Sequence, residues 1–170
     1  MEFIELAAAR YSVRAFSDQP VPADLLEQVL QAGRLAPTAM NRQPQRILVL
    51  QSPEALATLT ASVRPCYGAP VVLMICGDTG IAANRPTVDH CLAEMDVSIV
   101  TTHMMLEAAA LGLGTCWMCA FDVEKARAAF NLPANLTPYV LLPIGYPAEG
   151  CEPNPRHTQR EPLEHTVRYL

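Results

Sequence analysis

The sequence has very little lysine: Lys125 is the only lysine among 12 basic residues. These basic residues form no run, and 17 acidic residues outnumber them to give a net charge of -5. Such a balance excludes the basic footprint of a nucleic-acid-binding protein, so no nucleic-acid partner is predicted. Nearly every positive charge is an arginine, whose forked donors suit phosphate and carboxylate groups. The arginines are therefore the first candidates for a binding site.

Long uninterrupted apolar segments are also missing. The most apolar stretch, Val97–Leu113, contains His103 and Glu107 and follows Asp96. Such groups are costly in hydrocarbon, which favours a buried helix over a membrane span. The first ten residues, MEFIELAAAR, lack the basic start and apolar core of a signal peptide. We therefore expect a cytoplasmic protein with no membrane partner.

Internal repeats and low-complexity linkers are absent as well. With 51% hydrophobic residues over a length of 170, the chain predicts one domain, residues 1–170, with a well-buried core. A core of this size needs no disulfide framework, so we expect reduced and mostly buried thiols. The six cysteines are Cys66, Cys76, Cys91, Cys116, Cys119 and Cys151.

Hydrophobic patterning predicts strands separated by helices, which is typical of α/β layering. The predicted strands are residues 46–50, 70–76 and 139–144, with a short extended piece at 116–118. The predicted helices are residues 3–8, a helix whose first turn contains Pro22, residues 53–63, a long helix at about 91–112, and a helix that begins at Asp122 as N-cap. The tail, residues 146–170, is rich in proline and charge. It is either disordered or packed on something else, for which a partner subunit is the natural candidate.

Arg10, Ser12 and Arg14 alternate directly after the first helix. In an extended segment their side chains point to the same side, so they form a possible phosphate clamp. A solvated surface run is the alternative, and the spacing alone does not decide between them. The polar loop APTAMNRQPQ, residues 36–45, is a second place for binding chemistry.

These motifs together resemble the nitroreductase family. RYSVRAF is similar to that family's R-x-S-x-R-x-F, and APTAMNRQP to its A-P-S/T-x-x-N-x-Q-P. GLGTCW, LPIGYP and REPLE follow in the family's order, so the resemblance covers nearly the whole chain. It implies an α/β (α+β) nitroreductase-like fold, with a central, mostly antiparallel sheet flanked by helices and an intertwined homodimer that binds FMN.

The resemblance also implies roles for individual residues. The phosphate and ribityl chain of FMN are expected to contact Arg10, Tyr11, Ser12, Arg14 and Arg160. From the other subunit, the isoalloxazine is expected to contact Pro37, Thr38, Ala39 and Asn41, with Gln43 as a neighbour. Backbone groups of Cys119 and Ala120 are expected near the reactive N5 edge, where an amide can stabilise charge on the reduced ring.

The chain departs from the family at two of these places. Many relatives carry a glutamate and a glycine where this chain has Cys119 and Ala120, so the residues that tune the flavin differ here. Two places before Arg160, where relatives often have a basic residue, this chain has Thr158. His157 could compensate, although an exposed loop histidine is the alternative.

Other polar residues invite weaker interpretations. Cys116 and Cys119 form C-x-x-C, which suits a redox pair or half of a zinc site, but the partner ligands for zinc are missing and no metal site is predicted. Asp89, His90 and Cys91 are expected to form the first turn of the long helix. His103 and Glu107 are expected to bond one another, and Trp117 to fill the core or an interface.

The predicted function is an FMN-dependent NAD(P)H oxidoreductase. By ping-pong hydride transfer, it would reduce an electrophilic small-molecule acceptor such as a nitroaromatic, a quinone or an activated alkene, with NADH or NADPH as donor. No catalytic side chain is predicted, because the flavin carries the chemistry. The alternatives are an FMN enzyme that acts on a specialised metabolite and a non-catalytic flavin-binding or storage protein.

Overall fold

A four-stranded antiparallel sheet organises the part of the chain that the computed structural model describes, residues 2–87 and 90–170. The strand order is β1-β2-β4-β3. The strands are β1 (Gln45–Leu50), β2 (Val71–Asp78), β3 (Gly114–Thr115) and β4 (Leu136–Gly145). Residues 71–77 of β2 are all buried, which confirms the prediction that this apolar strand is covered on both faces.

Helices cover both faces of the sheet, and two further helices lie near the ends of the chain. They are α1 (Phe3–Ala9), α2 (Ala23–Leu35), α3 (Pro53–Ser62), α4 (Ala93–Ala110), α5 (Val123–Ala129) and α6 (Leu163–Thr166). Asp122 caps α5 as predicted, since its Oδ1 accepts the N–H of Lys125 over 3.0 Å. Ser52 caps α3 in the same way, by accepting the N–H of Ala55.

Two apolar clusters cover the sheet, one on each face. On one face α2 and α4 pack Val29, Val100 and Met104 against the sheet. On the other face α3 contributes Leu59 and α5 contributes Ala126. The predicted arrangement of helices around a mostly antiparallel sheet is confirmed, and the segment after α1 packs against the sheet through Val13.

The long helix α4 begins two residues later than the sequence predicts. Cys91 forms a bridge with Asn84, and the carbonyl oxygen of His90 accepts the N–H of Arg85 over 3.0 Å. Because the backbone of these residues pairs with residues 84 and 85, His90 and Cys91 precede the helix and form no part of its first turn. Asp89 lies outside the described residues.

The tail has regular structure in the described chain, although its residues are mostly exposed. The tail contains a 3₁₀ turn at Pro155–Thr158 and the short helix α6, so the structure does not favour the alternative of a disordered tail. No helix in residues 2–87 and 90–170 has both the length and the apolar character needed to cross a membrane.

Candidate functional site

Residues 10–14 leave α1 as an extended segment and lie against β3. Ser12 pairs with Thr115, and the N–H of Val13 donates to the carbonyl oxygen of Thr115 over 2.8 Å. A Cβ on Gly114 would lie 2.6 Å from Cγ2 of the buried Val13. The glycine of the GLGT motif therefore allows the segment to approach the sheet this closely.

A pocket of about 280 Å³ lies beside this segment and is lined by residues from both ends of the chain. We call it the cationic pocket, and its lining residues are Arg10, Tyr11, Ser12, Arg14, Asn154, Arg156, His157 and Arg160. The five residues expected at the phosphate end of FMN are all among them. The structure thus brings together residues that lie about 150 positions apart in the chain.

The tail forms the second wall of the cationic pocket. Asn154 begins the 3₁₀ turn, because its Oδ1 accepts the N–H of Arg156 over 3.0 Å. His157 joins this turn to the end of α1: its Nε2 donates to the carbonyl oxygen of Ala8 over 3.0 Å. The imidazole of His157 also meets the ring of Tyr11 edge-on, with 6.3 Å between the centroids.

Tyr11 ties the same two segments together from the other side. Its hydroxyl group donates to the carbonyl oxygen of Cys151 over 3.0 Å. Burial is the main cause that raises the pKa of Tyr11, and the neighbouring Cys151 adds to it. The phenol therefore stays protonated at neutral pH and keeps its hydrogen bond.

The cationic pocket carries unbalanced positive charge. Among the described residues, no carboxylate lies within 4.0 Å of the guanidinium groups of its four arginines. Arginine forks without acidic partners attract an anion with several acceptor oxygens. A phosphomonoester, which carries nearly two negative charges at pH 7, fits this donor set.

Asn154 and Arg156 are pocket residues that the sequence analysis did not identify. They belong to the segment N-P-R, which reads as a turn because proline follows an N-cap asparagine. Arg156 lies four residues before Arg160 and adds a fourth arginine to the pocket lining. Because the chain has a single lysine, each arginine is a candidate ligand, and this feature of the sequence could have identified Arg156.

The loop expected at the isoalloxazine does not line the cationic pocket of its own chain. Pro37, Thr38, Ala39, Asn41 and Gln43 lie between α2 and β1. The side-chain amide of Gln43 donates to the carbonyl oxygen of Asn41 over 3.3 Å. The structure therefore separates the two sets of expected ligands on one chain, and the role of this loop stays a prediction.

Cys119 and Ala120 lie at the end of the sheet, and neither lines the cationic pocket. Met118 makes the last pairing, with Leu141 of β4, and the next two residues are exposed. The carbonyl oxygen of Ala120 accepts a hydrogen bond from Nη1 of Arg64 over 2.7 Å. This contact anchors the segment without using its N–H groups, so their expected role near the flavin stays open.

The two cysteines of C-x-x-C lie in different environments, and both are free thiols. Cys119 is exposed, and Nε1 of Trp117 lies 2.9 Å from its Sγ. Cys116 is buried, and this burial raises the pKa of its thiol despite the opposing charges of Arg14 and Arg64. In the described chain no three His, Cys, Asp or Glu side chains are grouped as metal ligands.

His103 does not make the predicted contact with Glu107. Its Nδ1 donates instead to the carbonyl oxygen of Ile99, one turn earlier on α4, over 2.9 Å. The side chain is exposed, so a backbone carbonyl of its own helix can satisfy it and no carboxylate is needed.

Comparisons with known proteins identify the family to which this chain is similar. Residues 7–66 and 60–146 match the model of the nitroreductase family. An NADH dehydrogenase of Thermus thermophilus is 32% identical, over 95% of this chain and 92% of the relative. A nitroreductase family protein from Clostridium difficile has a crystal structure that is similar with a TM-score of 0.93 and 42% identity, over 99% of this chain and 98% of the other.

A further solved structure, described as a nitroreductase from Exiguobacterium sibiricum in complex with FMN, shares the fold. Its TM-score is 0.83 at 21% identity, over all of this chain and 98% of the other. The family model covers the sheet, the helices on both faces and the segment that opens the cationic pocket. The chain belongs to the nitroreductase family.

Proposed function

We propose that this protein is an FMN-dependent oxidoreductase that uses NADH or NADPH to reduce an electrophilic small molecule. The observation that carries the proposal is the cationic pocket, whose four arginines lack acidic partners among the described residues. Family membership and the FMN complex of a structural neighbour support the choice of flavin over another phosphorylated ligand.

The phosphate end of FMN is assigned to the cationic pocket. Arg10 and Arg14 supply donors from the segment after α1, and Arg156 and Arg160 supply donors from the tail. Arginine pairs suit the three terminal oxygens of a phosphomonoester because each fork can donate two parallel hydrogen bonds. Ser12 adds a hydroxyl group that can donate to the same anion.

The ring end is assigned to a homodimer, in which Thr38, Ala39 and Asn41 of the partner loop complete the site. The exposed apolar side chains support this assembly. Met95 and Ile99 lie on an open part of α4, next to a cavity of about 380 Å³. The tail exposes Leu163, Val167, Tyr169 and Leu170. Exposed apolar groups of this kind mark association surfaces, and residues 146–170 are therefore assigned to pack on the partner subunit.

Bound FMN supplies the redox chemistry, in which a hydride is taken from reduced nicotinamide and delivered to the acceptor. The protein binds the anionic end, orients the ring and leaves one ring face open to flat partners. Backbone groups of Cys119 and Ala120 are assigned to the N5 edge, where a donor stabilises negative charge. The acceptor classes are nitroaromatics, quinones and activated alkenes, and the proposed setting is the cytoplasm.

The proposal is tested by the colour and turnover of the purified protein. A flavin absorption spectrum is expected, and the chromophore released on denaturation is expected to be FMN. Loaded protein should oxidise NADH or NADPH when a quinone or a nitroarene is present. If neither NADH nor NADPH bleaches the bound flavin, the result favours a non-catalytic flavin-binding protein. If the flavin is bleached but neither acceptor is reduced, the result favours an enzyme that acts on a specialised substrate.

A further inference from the structure

The loop between α2 and β1 has a backbone conformation that residues other than glycine rarely adopt. Met40, Asn41 and Gln43 have φ angles of 54°, 53° and 51°. None of them is glycine, and residues with a Cβ rarely adopt this left-handed region. Such conformations persist where the surrounding structure holds them in place, and they cluster at functional sites.

Several hydrogen bonds hold this loop, and two of them join a loop N–H to a side-chain oxygen. The N–H of Gln43 donates to Oγ1 of Thr38 over 3.0 Å, which closes the loop on itself. The N–H of Ala39 donates to Oδ1 of Asp96 over 2.7 Å, which fastens the loop to the first turn of α4. A charged acceptor makes the second bond the stronger of the two.

The side chain of Asp96 makes no other hydrogen bond within the described residues. Its side chain is 2% exposed, and its second carboxylate oxygen, Oδ2, lacks a hydrogen-bond partner there. A buried carboxylate with an unpaired oxygen costs folding free energy. An apolar residue would suit the core better, so stability alone does not account for an aspartate at this position.

We propose that Asp96 is a positioning residue whose carboxylate holds the ring-lining loop in its left-handed conformation. Through Ala39 it sets the direction of Thr38 and Asn41, without contacting the flavin itself. This inference rests on the proposed function only in assigning the loop to the isoalloxazine. The anchor itself is a property of this chain and is testable without flavin.

Three variants separate positioning from packing. Asp96→Asn keeps an oxygen that can accept the N–H of Ala39. Asp96→Leu has the same branched shape but no acceptor, and it removes both the buried charge and the unpaired oxygen. Thr101→Val is the matched control, because Thr101 is buried on the same helix and its Oγ1 donates to the carbonyl oxygen of Val97 rather than to the loop.

Each variant is tested by amide hydrogen exchange of residues 36–44 in flavin-free protein, by chemical denaturation, and by titration with FMN and riboflavin. Asp96→Leu should exchange faster in this segment while unfolding at a denaturant concentration no lower than the Thr101→Val control. It should bind both flavins about tenfold more weakly or worse, as expected for the loss of one charge-assisted hydrogen bond. The ratio of the two affinities should not change, because the cationic pocket is intact.

Asp96→Asn should restore both slow exchange and flavin affinity. The inference is overturned if Asp96→Leu exchanges and binds like the control, if Asp96→Asn is as impaired as Asp96→Leu, or if Asp96→Leu is too unstable to fold. Wild-type protein that binds neither flavin would instead overturn the proposed function, and the exchange comparison would still decide whether Asp96 anchors the loop.

Discussion

Nε2 of His157 donates a hydrogen bond to the carbonyl oxygen of Ala8 over 3.0 Å, and this contact closes the tail onto the end of the first helix. The two residues are 149 positions apart. The bond places the turn that carries Arg156 against the segment that carries Arg10. The geometry of the proposed phosphate site therefore depends on His157 as well as on the arginines.

Replacing His157 with alanine should loosen the tail wall of the cationic pocket. We expect FMN affinity to fall by about three- to tenfold, the scale of one neutral hydrogen bond, while riboflavin affinity stays unchanged. The measurement is fluorescence quenching of each flavin on titration with protein. Thr58→Ala is the control, because it removes a hydrogen bond to a backbone carbonyl within α3, outside the cationic pocket. Equal FMN affinity in the two variants would contradict the prediction.

The arginines of the cationic pocket should act on the phosphate and not on the ring. Arg10→Ala and Arg156→Ala should each weaken FMN binding by about 10- to 100-fold, the scale of a hydrogen bond to a charged group. Riboflavin lacks the phosphate, so its dissociation constant should not change. Isothermal titration of both flavins checks this, with Lys125→Ala as control, because Lys125 is exposed on α5 and does not line the cationic pocket. A loss that is equal for FMN and riboflavin would contradict the assignment.

The clustering of the pocket arginines was largely predictable because it is encoded locally. Alternation over residues 10–14 and a motif around Arg160 identify it in the printed sequence, and the fold only has to bring the two ends together. Gly114 is similar, since its close approach to Val13 explains a motif glycine that the sequence already shows.

Other features depend on contacts that no local pattern reveals. Cys91 lies outside α4 because it pairs with Asn84, which the helical periodicity of the following residues does not indicate. Asp96 meets the N–H of Ala39 across 57 positions. The ring half of the proposed site is assigned to a partner chain, so the fold of one chain does not assemble it.

Buried thiols should make stability fall at alkaline pH. Burial raises the pKa of Cys66 to about 11 and that of Cys76 to about 12, whereas a thiol in an unfolded chain has a pKa of about 8.5. Because the folded pKa lies above the unfolded one, the stabilisation is complete below pH 8.5 and is lost as pH rises toward the folded values.

Denaturant unfolding between pH 8 and pH 11 measures this effect. The free energy of unfolding should decrease with pH in the wild-type protein, and Cys76→Ala should flatten that decrease even if it lowers stability at every pH. Cys119→Ser, at an exposed thiol, should keep the wild-type slope. Identical slopes for Cys76→Ala and the wild type would show that ionisation of this thiol is not coupled to folding.

The open apolar part of α4 should be buried in the proposed homodimer. Ile99→Asp places a charge on that surface and should shift the protein from dimer to monomer in analytical ultracentrifugation, because an unpaired charge is costly to bury. Flavin affinity should fall with it, since the partner loop is lost. Ala128→Asp adds the same charge to an exposed position of α5 and should leave the dimer intact. A monomeric wild-type protein that binds FMN would contradict this assembly.

The central claim is that the cationic pocket binds the phosphate of FMN, and the most direct test is a paired titration. Flavin-free wild-type protein is titrated with FMN and with riboflavin at low and at high salt. The account predicts that FMN binds about 100-fold more tightly or better, as a charge-assisted phosphate contact implies, and that salt narrows this difference. Equal affinities for the two flavins, or no binding of FMN at micromolar concentrations, would contradict it.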